Sequence, residues 1–212
     1  MTTLLEEKYT AEKQQFIAEA QELLLFNCWS QTLLEDISQH CGFNKDYHYL
    51  LFPDGVREVV EFFENWQDQK MMLQLQEQTQ ITQLRIREKI ALALQIRIKN
   101  ISKLIHIRNN AYFILPENIF FAMRMAWNSC NLIWYYTGDT ATDFNHYSKR
   151  GLLVSVYLSA ILFYIADESE NAVDTDRFID DALENIINIA KLKNFAKLPE
   201  LSSIPILRLF TR

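Results

Sequence analysis

Apolar positions recur at helical spacing along nearly the whole chain. Between Thr10 and about Phe26, the side chains of Phe16, Ala20, Leu23 and Leu24 fall on one helix face. Leu33, Leu34 and Ile37 mark a shorter helix, which Gly42 is placed to end in the left-handed conformation. Asn44 then caps a second short helix through about Tyr49. Pro53 and Asp54 open a third, with Val56, Val59, Val60 and Phe63 inward. One longer helix followed by two short helices around a glycine turn is the helix-turn-helix arrangement.

Residues 71–110 carry two competing periods. ALALQIRIKNI alternates as a strand would, whereas Ile86, Ile90, Ala93, Leu94, Arg97, Ile101, Leu104 and Ile105 line one side of a helix. The stretch runs on without a turn signal, and strands rarely exceed about ten residues, so one well-buried helix is predicted. Pro116 occupies a first helical position, and a helix crowded with bulky groups follows to about Tyr136. After TGDTATD, where Thr142 is the expected cap, comes GLLVSVYLSAILFYIA between Lys149–Arg150 and Asp167–Glu168. A bilayer span needs roughly 20 apolar residues, so this shorter run reads as a central or dimer-forming helix. Asp174–Lys193 is a further amphipathic helix with Phe178, Leu183, Ile186, Ile187 and Ala190 inward, and ELSSIPILRLFTR makes a short amphipathic tail.

The expected fold is therefore all-α: a helix-turn-helix-like unit over 1–68, a larger helical ligand-binding and dimerisation part over 69–193, and a tail over 194–212. Composition agrees. Only four glycines and four prolines occur in 212 residues, too few for the many tight turns of barrels or sandwiches. The three cysteines, Cys28, Cys41 and Cys130, offer no CxxC pair or disulfide framework and suit a reducing compartment. The acidic N-terminus has no apolar signal core, so a cytoplasmic location is expected.

Candidate chemistry is sparse. No GxGxxG, Walker loop, GxSxG or HExxH occurs. His40, Cys41 and His48 lack a nearby fourth ligand for a closed zinc site, and DESENAVDTD lacks the glycine and glutamate of an EF-hand loop. His106 and His146 read as surface or satisfied core groups. No enzyme activity, cofactor or metal is expected. Charge is uneven: residues 1–70 carry net −8, 71–150 net +5, 151–190 net −7 and 191–212 net +4.

The order of the first elements resembles the TetR family of repressors, with Ile37, Gly42, Phe43, Tyr49 and Phe52 at the corresponding positions. A DNA-binding transcriptional regulator is thus one reading. Recognition needs cations for phosphates, however, and FNKDYHYL sets Lys45 against Asp46 inside an acidic block. The second half points elsewhere. LPENIFFAMRMAWNSCNLIWYYTGDTATDFNHYSKRGLLVSVYLSAILFYIADES resembles the lipid-binding accessory protein family of ubiquinone (coenzyme Q) biosynthesis, and YTGDTATDFNHYSKRG after IWYY is its specific part. LFPDGVREVVEFF and RIREKIALALQIRI are also similar to earlier blocks of that family.

The resemblance implies a TetR-like homodimer that binds an isoprenoid, quinone or phospholipid ligand, not nucleic acid. It implies support for the hydroxylase that acts on demethoxy-ubiquinone, peripheral attachment to the inner (cytoplasmic) membrane, and no catalysis of its own. The bulky groups Phe120, Phe121, Met123, Trp127, Ile133 and Trp134 are the candidate lipid contacts, flexible methionine suiting an adaptable site. Carried over by position, the hydroxylase-binding patch falls on Asp143, His146 and Tyr147, beside Lys149 and Arg150. The family commonly has tryptophan where this chain has His146, which removes a typical anchor. Ile206, Leu207, Leu209 and Phe210, with Lys197, Arg208 and Arg212, form the candidate membrane-contacting tail.

Overall fold

The computed structural model describes residues 2–78, 81–138 and 144–195, with side chains described at 8–78, 81, 83–138 and 147–186. Among these residues all regular structure is helical: α1 Thr2–Leu23, α2 Gln31–His40, α3 His48–Leu51, α4 Val56–Glu77, α5 Ile86–Lys99, α6 Lys103–Phe113, α7 Ile119–Tyr136, α8 Phe144–Ala166 and α9 Val173–Phe195.

Local chemistry sets the helix-turn-helix. Ser30 caps α2, its hydroxyl accepting from Leu33 N–H at 3.2 Å. Gly42 ends that helix at φ 78°, while Phe43 N–H reaches Ser38 C=O and Gly42 N–H reaches Gln39 C=O, both at 2.9 Å. This pair of bonds satisfies carbonyls that the helix end would otherwise orphan. Asn44 then caps a 3₁₀ turn, Lys45–Tyr47, which leads into α3. The first helix starts earlier than the periodicity suggested and stops at Leu23, leaving Phe26 exposed.

Two cores form. Phe16, Ile17, Leu34, Ile37, Phe52 and Phe63 anchor the first, and Leu94, Ile98, Ile133, Tyr157, Ala160 and Ile179 belong to the second. Helix α4 contributes to both, Val59, Val60 and Phe63 to one and Met71 and Leu75 to the other. It runs unbroken through residue 68, so the two units share a rigid rod and no linker.

The single helix expected over 71–110 is corrected. Helix α4 ends at Glu77, a 3₁₀ turn spans Ile81–Gln83, and α5 ends at Lys99. Glu88 reaches back to the Arg85 N–H at 2.8 Å to start α5. Ser102 caps α6 by accepting from Ile105 N–H at 3.4 Å. The bend at Asn100–Ser102 turns Ile101 and Ile105 into the first core, whereas Ile86 and Leu104, expected inward, are exposed.

Helix α8 is long and apolar enough, by length and composition, to cross a membrane. Its Leu153, Val154, Val156, Tyr157, Ala160 and Ile161 are nonetheless buried in the second core. The opposite face exposes Leu152, Leu158 and Leu162.

Candidate functional site

Helix α7 is apolar around most of its circumference, and each face has its own surroundings. Phe121 and Met125 enter the first core, and Ala126, Cys130 and Ile133 enter the second. The third face carries Phe120, Met123, Trp127, Asn131 and Trp134, spaced three or four residues apart and therefore one above the other. Phe120 is 88% exposed and Met123 48%; Trp127 and Trp134 are half-buried against the second core. The six candidate lipid contacts thus separate into two core residues, Phe121 and Ile133, and a four-residue surface stripe.

The start of α8 is fastened to this stripe. Tyr147, 63% exposed, stacks on Trp127 with ring centroids 6.2 Å apart and planes at 28°. Trp134 Nε1 donates to the Lys149 carbonyl at 3.3 Å, and the Lys149 ammonium lies 5.3 Å from the Trp134 ring centre. Arg150 is buried and donates through Nε to Asn131 Oδ1 at 2.6 Å. The candidate lipid stripe and the candidate partner patch therefore meet at Trp127–Tyr147. His146 belongs to α8, but its side chain lies outside the described ones. Asp143 and Thr142 lie outside the described residues, as do Ile206, Leu207, Leu209 and Phe210.

Two clefts open elsewhere. One of about 510 Å³ is lined by Lys99, Lys103, Tyr164, Ser169, Asn171 and Ala172. Another of about 380 Å³ lies between Gln74, Glu77, Ile96 and Asn100. None of the candidate lipid residues lines either. In the first, both lysines are engaged: Lys99 with Asp176 at 2.7 Å and Asn171 C=O at 3.0 Å, and Lys103 with the Asp167 carbonyl. Asp167 is not a solvated loop acid. It accepts from Thr175 Oγ1 at 2.5 Å and from the Ser169 and Thr175 N–H groups at 2.8 Å. Bonds from Ser169 and Thr175 hold its carboxyl well below the usual carboxylate range.

A buried polar network joins the two cores. Arg97 is fully buried and donates to Glu64 Oε2 at 2.5 Å and to Asp68 Oδ1 at 2.6 Å. Asn109 donates to Glu64 at 2.8 Å and accepts from Trp29 Nε1 at 2.8 Å; Ser129 donates to Asp68 at 2.8 Å. Burial pushes the Glu64 carboxyl up, with Arg97 pulling the other way. Burial opposes the Arg97 charge too, yet Tyr157, Asp68 and Glu64 hold the guanidinium above its ordinary value. Beside it, His106 contacts the Ile98 carbonyl through Nε2 at 2.8 Å, and burial lowers its pKa to about 4. Arg97 on an apolar helix face was the sequence signal for this network. Its acidic partners also had one, since Glu64 and Asp68 are four residues apart on the inward face of α4.

His48 is a core group held by Gln31 and the Lys45 carbonyl, and His40 bonds the Asp36 carbonyl of its own helix. No cluster of three metal-binding side chains occurs among the described residues.

Comparison with known proteins places these features. Residues 120–190, from the first turn of α7 into α9, match the COQ9 family. The "Probable ubiquinone biosynthesis protein coq9, mitochondrial" of Dictyostelium discoideum is 32% identical over 170 residues, covering 76% of this chain and 55% of that protein. The "Ubiquinone biosynthesis protein COQ9, mitochondrial" of Rattus norvegicus is 25% identical over 195 residues, 87% of this chain and 62% of that protein. The human protein of the same name is likewise 25% identical and is 61% covered. The chain thus spans somewhat over half the length of these relatives. Among solved structures, a TetR transcriptional regulator from Nitrosomonas europaea superposes with a TM-score of 0.66 at 18% identity. That alignment covers 82% of this chain and 97% of the regulator, a likeness of fold. On a TetR-like all-helical fold, then, this chain is a relative of the COQ9 ubiquinone biosynthesis proteins.

Proposed function

We infer that the chain is a non-catalytic accessory protein of ubiquinone biosynthesis, which binds an isoprenoid or quinone-precursor lipid and offers it to the demethoxy-ubiquinone hydroxylase. The observation carrying this reading is the COQ9 match over 120–190, the segment that holds the α7 stripe and the start of α8. An exposed aromatic stacked on a half-buried tryptophan has the make-up of an interface anchor. The stripe beneath it, Phe120–Met123–Trp127–Trp134, offers apolar surface for a lipid chain. The exposed leucines of α8 suit contact with a second copy, giving a homodimer, and the basic, apolar tail suits peripheral attachment to a membrane.

The test is binding of the purified hydroxylase by the full chain and by Tyr147→Lys. The variant is expected to melt like the wild type and to bind at least ten-fold more weakly. Wild-type affinity in Tyr147→Lys would remove the patch from the account.

The fold likeness to a repressor favours a second reading, a ligand-responsive DNA-binding regulator. Against it, α3 is four residues long with His48 buried, and residues 1–70 carry net −8. Phosphate contact needs the opposite charge. A gel shift on duplex DNA at low salt is expected to show no complex, and a salt-sensitive complex would reinstate the regulator.

A further inference from the structure

The corner between α6 and α7 leaves large apolar side chains uncovered. Ile107 lies on the outer face of α6, and Ile114 and Leu115 follow its last residue, Phe113. Ile119, Phe120 and Met123 continue the surface onto the first turns of α7. Ile114 is 73% exposed and Phe120 88%, so these side chains stand clear of their neighbours and do not form the walls of a groove. An uncovered apolar cluster of this kind marks a contact surface.

Charge selects the partner. Residues 104–138 contain Arg108 and Arg124 against Glu117 alone, in a chain of net charge −6; Lys103, at the other end of α6, is held by the Asp167 carbonyl. The Arg57 and Arg124 guanidiniums lie 4.7 and 5.5 Å from the ring centre of Phe121, next to Phe120. Arg124 also pairs with Glu61 at 2.7 Å in an exposed bridge. Protruding isoleucine, leucine and phenylalanine flanked by arginines are what an interfacial membrane contact needs: apolar tips to enter the acyl boundary and cations for anionic head groups. We propose that the α6–α7 corner is a membrane-docking surface, with Ile114 and Phe120 entering the interface of an anionic bilayer.

The surface shares Phe120 and Met123 with the α7 lipid stripe and is distinct from the hydroxylase and second-copy contacts assigned above. Tyr147 stacks on Trp127, about two turns or ~10 Å along α7 from Phe120, and the exposed leucines on α8 serve the second copy. The inference extends the membrane attachment proposed above, moving part of it from the tail to the folded body. If it holds, a lipid leaving the bilayer at Phe120 has the α7 stripe as an apolar track toward the α8 patch.

The experiment is flotation of the full chain with vesicles of phosphatidylcholine alone and of phosphatidylcholine with phosphatidylglycerol. Wild type is expected to bind the anionic vesicles, more weakly at high salt. The double variant Ile114→Asp/Phe120→Asp is expected to lose at least ten-fold in partitioning, about 1.4 kcal/mol, with an unchanged melting temperature. The milder Phe120→Ser is expected to lose part of it. Ile206→Asp/Leu209→Asp reports the tail separately. Absence of wild-type binding, or a corner double variant that floats like wild type, overturns the proposal. A corner variant that changes the sedimenting mass in the absence of vesicles assigns the surface to a second copy, and overturns it equally. Hydroxylase binding by Ile114→Asp alone, which leaves the α7 lipid stripe intact, is expected to be unchanged, so failure here and failure of the accessory role have different readouts.

Discussion

Replacing Arg97 by methionine removes the cation that two buried carboxylates share. In the native protein Nη2 meets Glu64 at 2.5 Å and Nε meets Asp68 at 2.6 Å, with all three side chains nearly or fully buried. After Arg97→Met, Glu64 retains only the Asn109 amide as a side-chain partner and Asp68 the Ser129 hydroxyl. Breaking a buried pair by removing one partner costs about 3–5 kcal/mol because the other charge is stranded. That is a large share of the roughly 5–15 kcal/mol that holds a typical domain folded. The deficit also depends on pH in a defined direction. Without the guanidinium the Glu64 carboxyl, already pushed up by burial, loses the charge that pulls it down, so the folded variant takes up a proton before the unfolded chain does. Stability lost at neutral pH is therefore partly recovered as pH falls toward the carboxylate range. Urea unfolding followed by circular dichroism, at about pH 7.5 and about pH 5.5, measures both quantities. The half-exposed pair Lys99–Asp176 is the control, since Lys99→Met is expected to cost at most about 1 kcal/mol. An Arg97→Met variant within about 1 kcal/mol of wild type, or a deficit that ignores pH, would refute the reasoning.

Other perturbations test other parts of the account. Protonation of His106 is disfavoured in the fold, at about 4 against an ordinary 6.5. The unfolded chain binds that proton first, so its contribution is lost as pH falls through this window, by about 3 kcal/mol in all. The difference in unfolding free energy between wild type and His106→Gln, followed from pH 7 to 4, is expected to show that slope; a flat difference contradicts it. Phe121→Ala is expected to cost about 3–5 kcal/mol and Phe120→Ala less than about 0.5, in chemical unfolding; equal costs would mean that the outward face of α7 is wrongly placed. Gly42→Ala meets no atom within 4 Å, so only its positive φ matters. The expected loss is about 1 kcal/mol, and a stabilised variant would contradict the left-handed cap.

The sequence made the helix-turn-helix legible because each signal there is local. Gly42 and Asn44 act on backbone groups within a few residues, so their geometry follows from their identity. The break in 71–110 was hidden for the opposite reason. Ile101 is apolar and buried, and it continues the helical period across a bend that only Ser102 marks. Helix α7 shows a different limit. A helix apolar all round reads as buried all round, yet two faces enter two cores and the third reaches the surface. Spacing alone could group Phe120, Met123, Trp127 and Trp134; it could not say which group faced outward. The family resemblance identified Tyr147, and the structure supplied its seat on Trp127.

The central claim is that this helical body carries a lipid, and organic extraction of the purified full chain followed by mass spectrometry tests it most directly. The account predicts an isoprenoid quinone, a quinone precursor or a phospholipid at about one molecule per chain, reduced when Trp127 and Trp134 are both replaced by alanine. An empty extract from folded protein, prepared from cells that make ubiquinone, would contradict it.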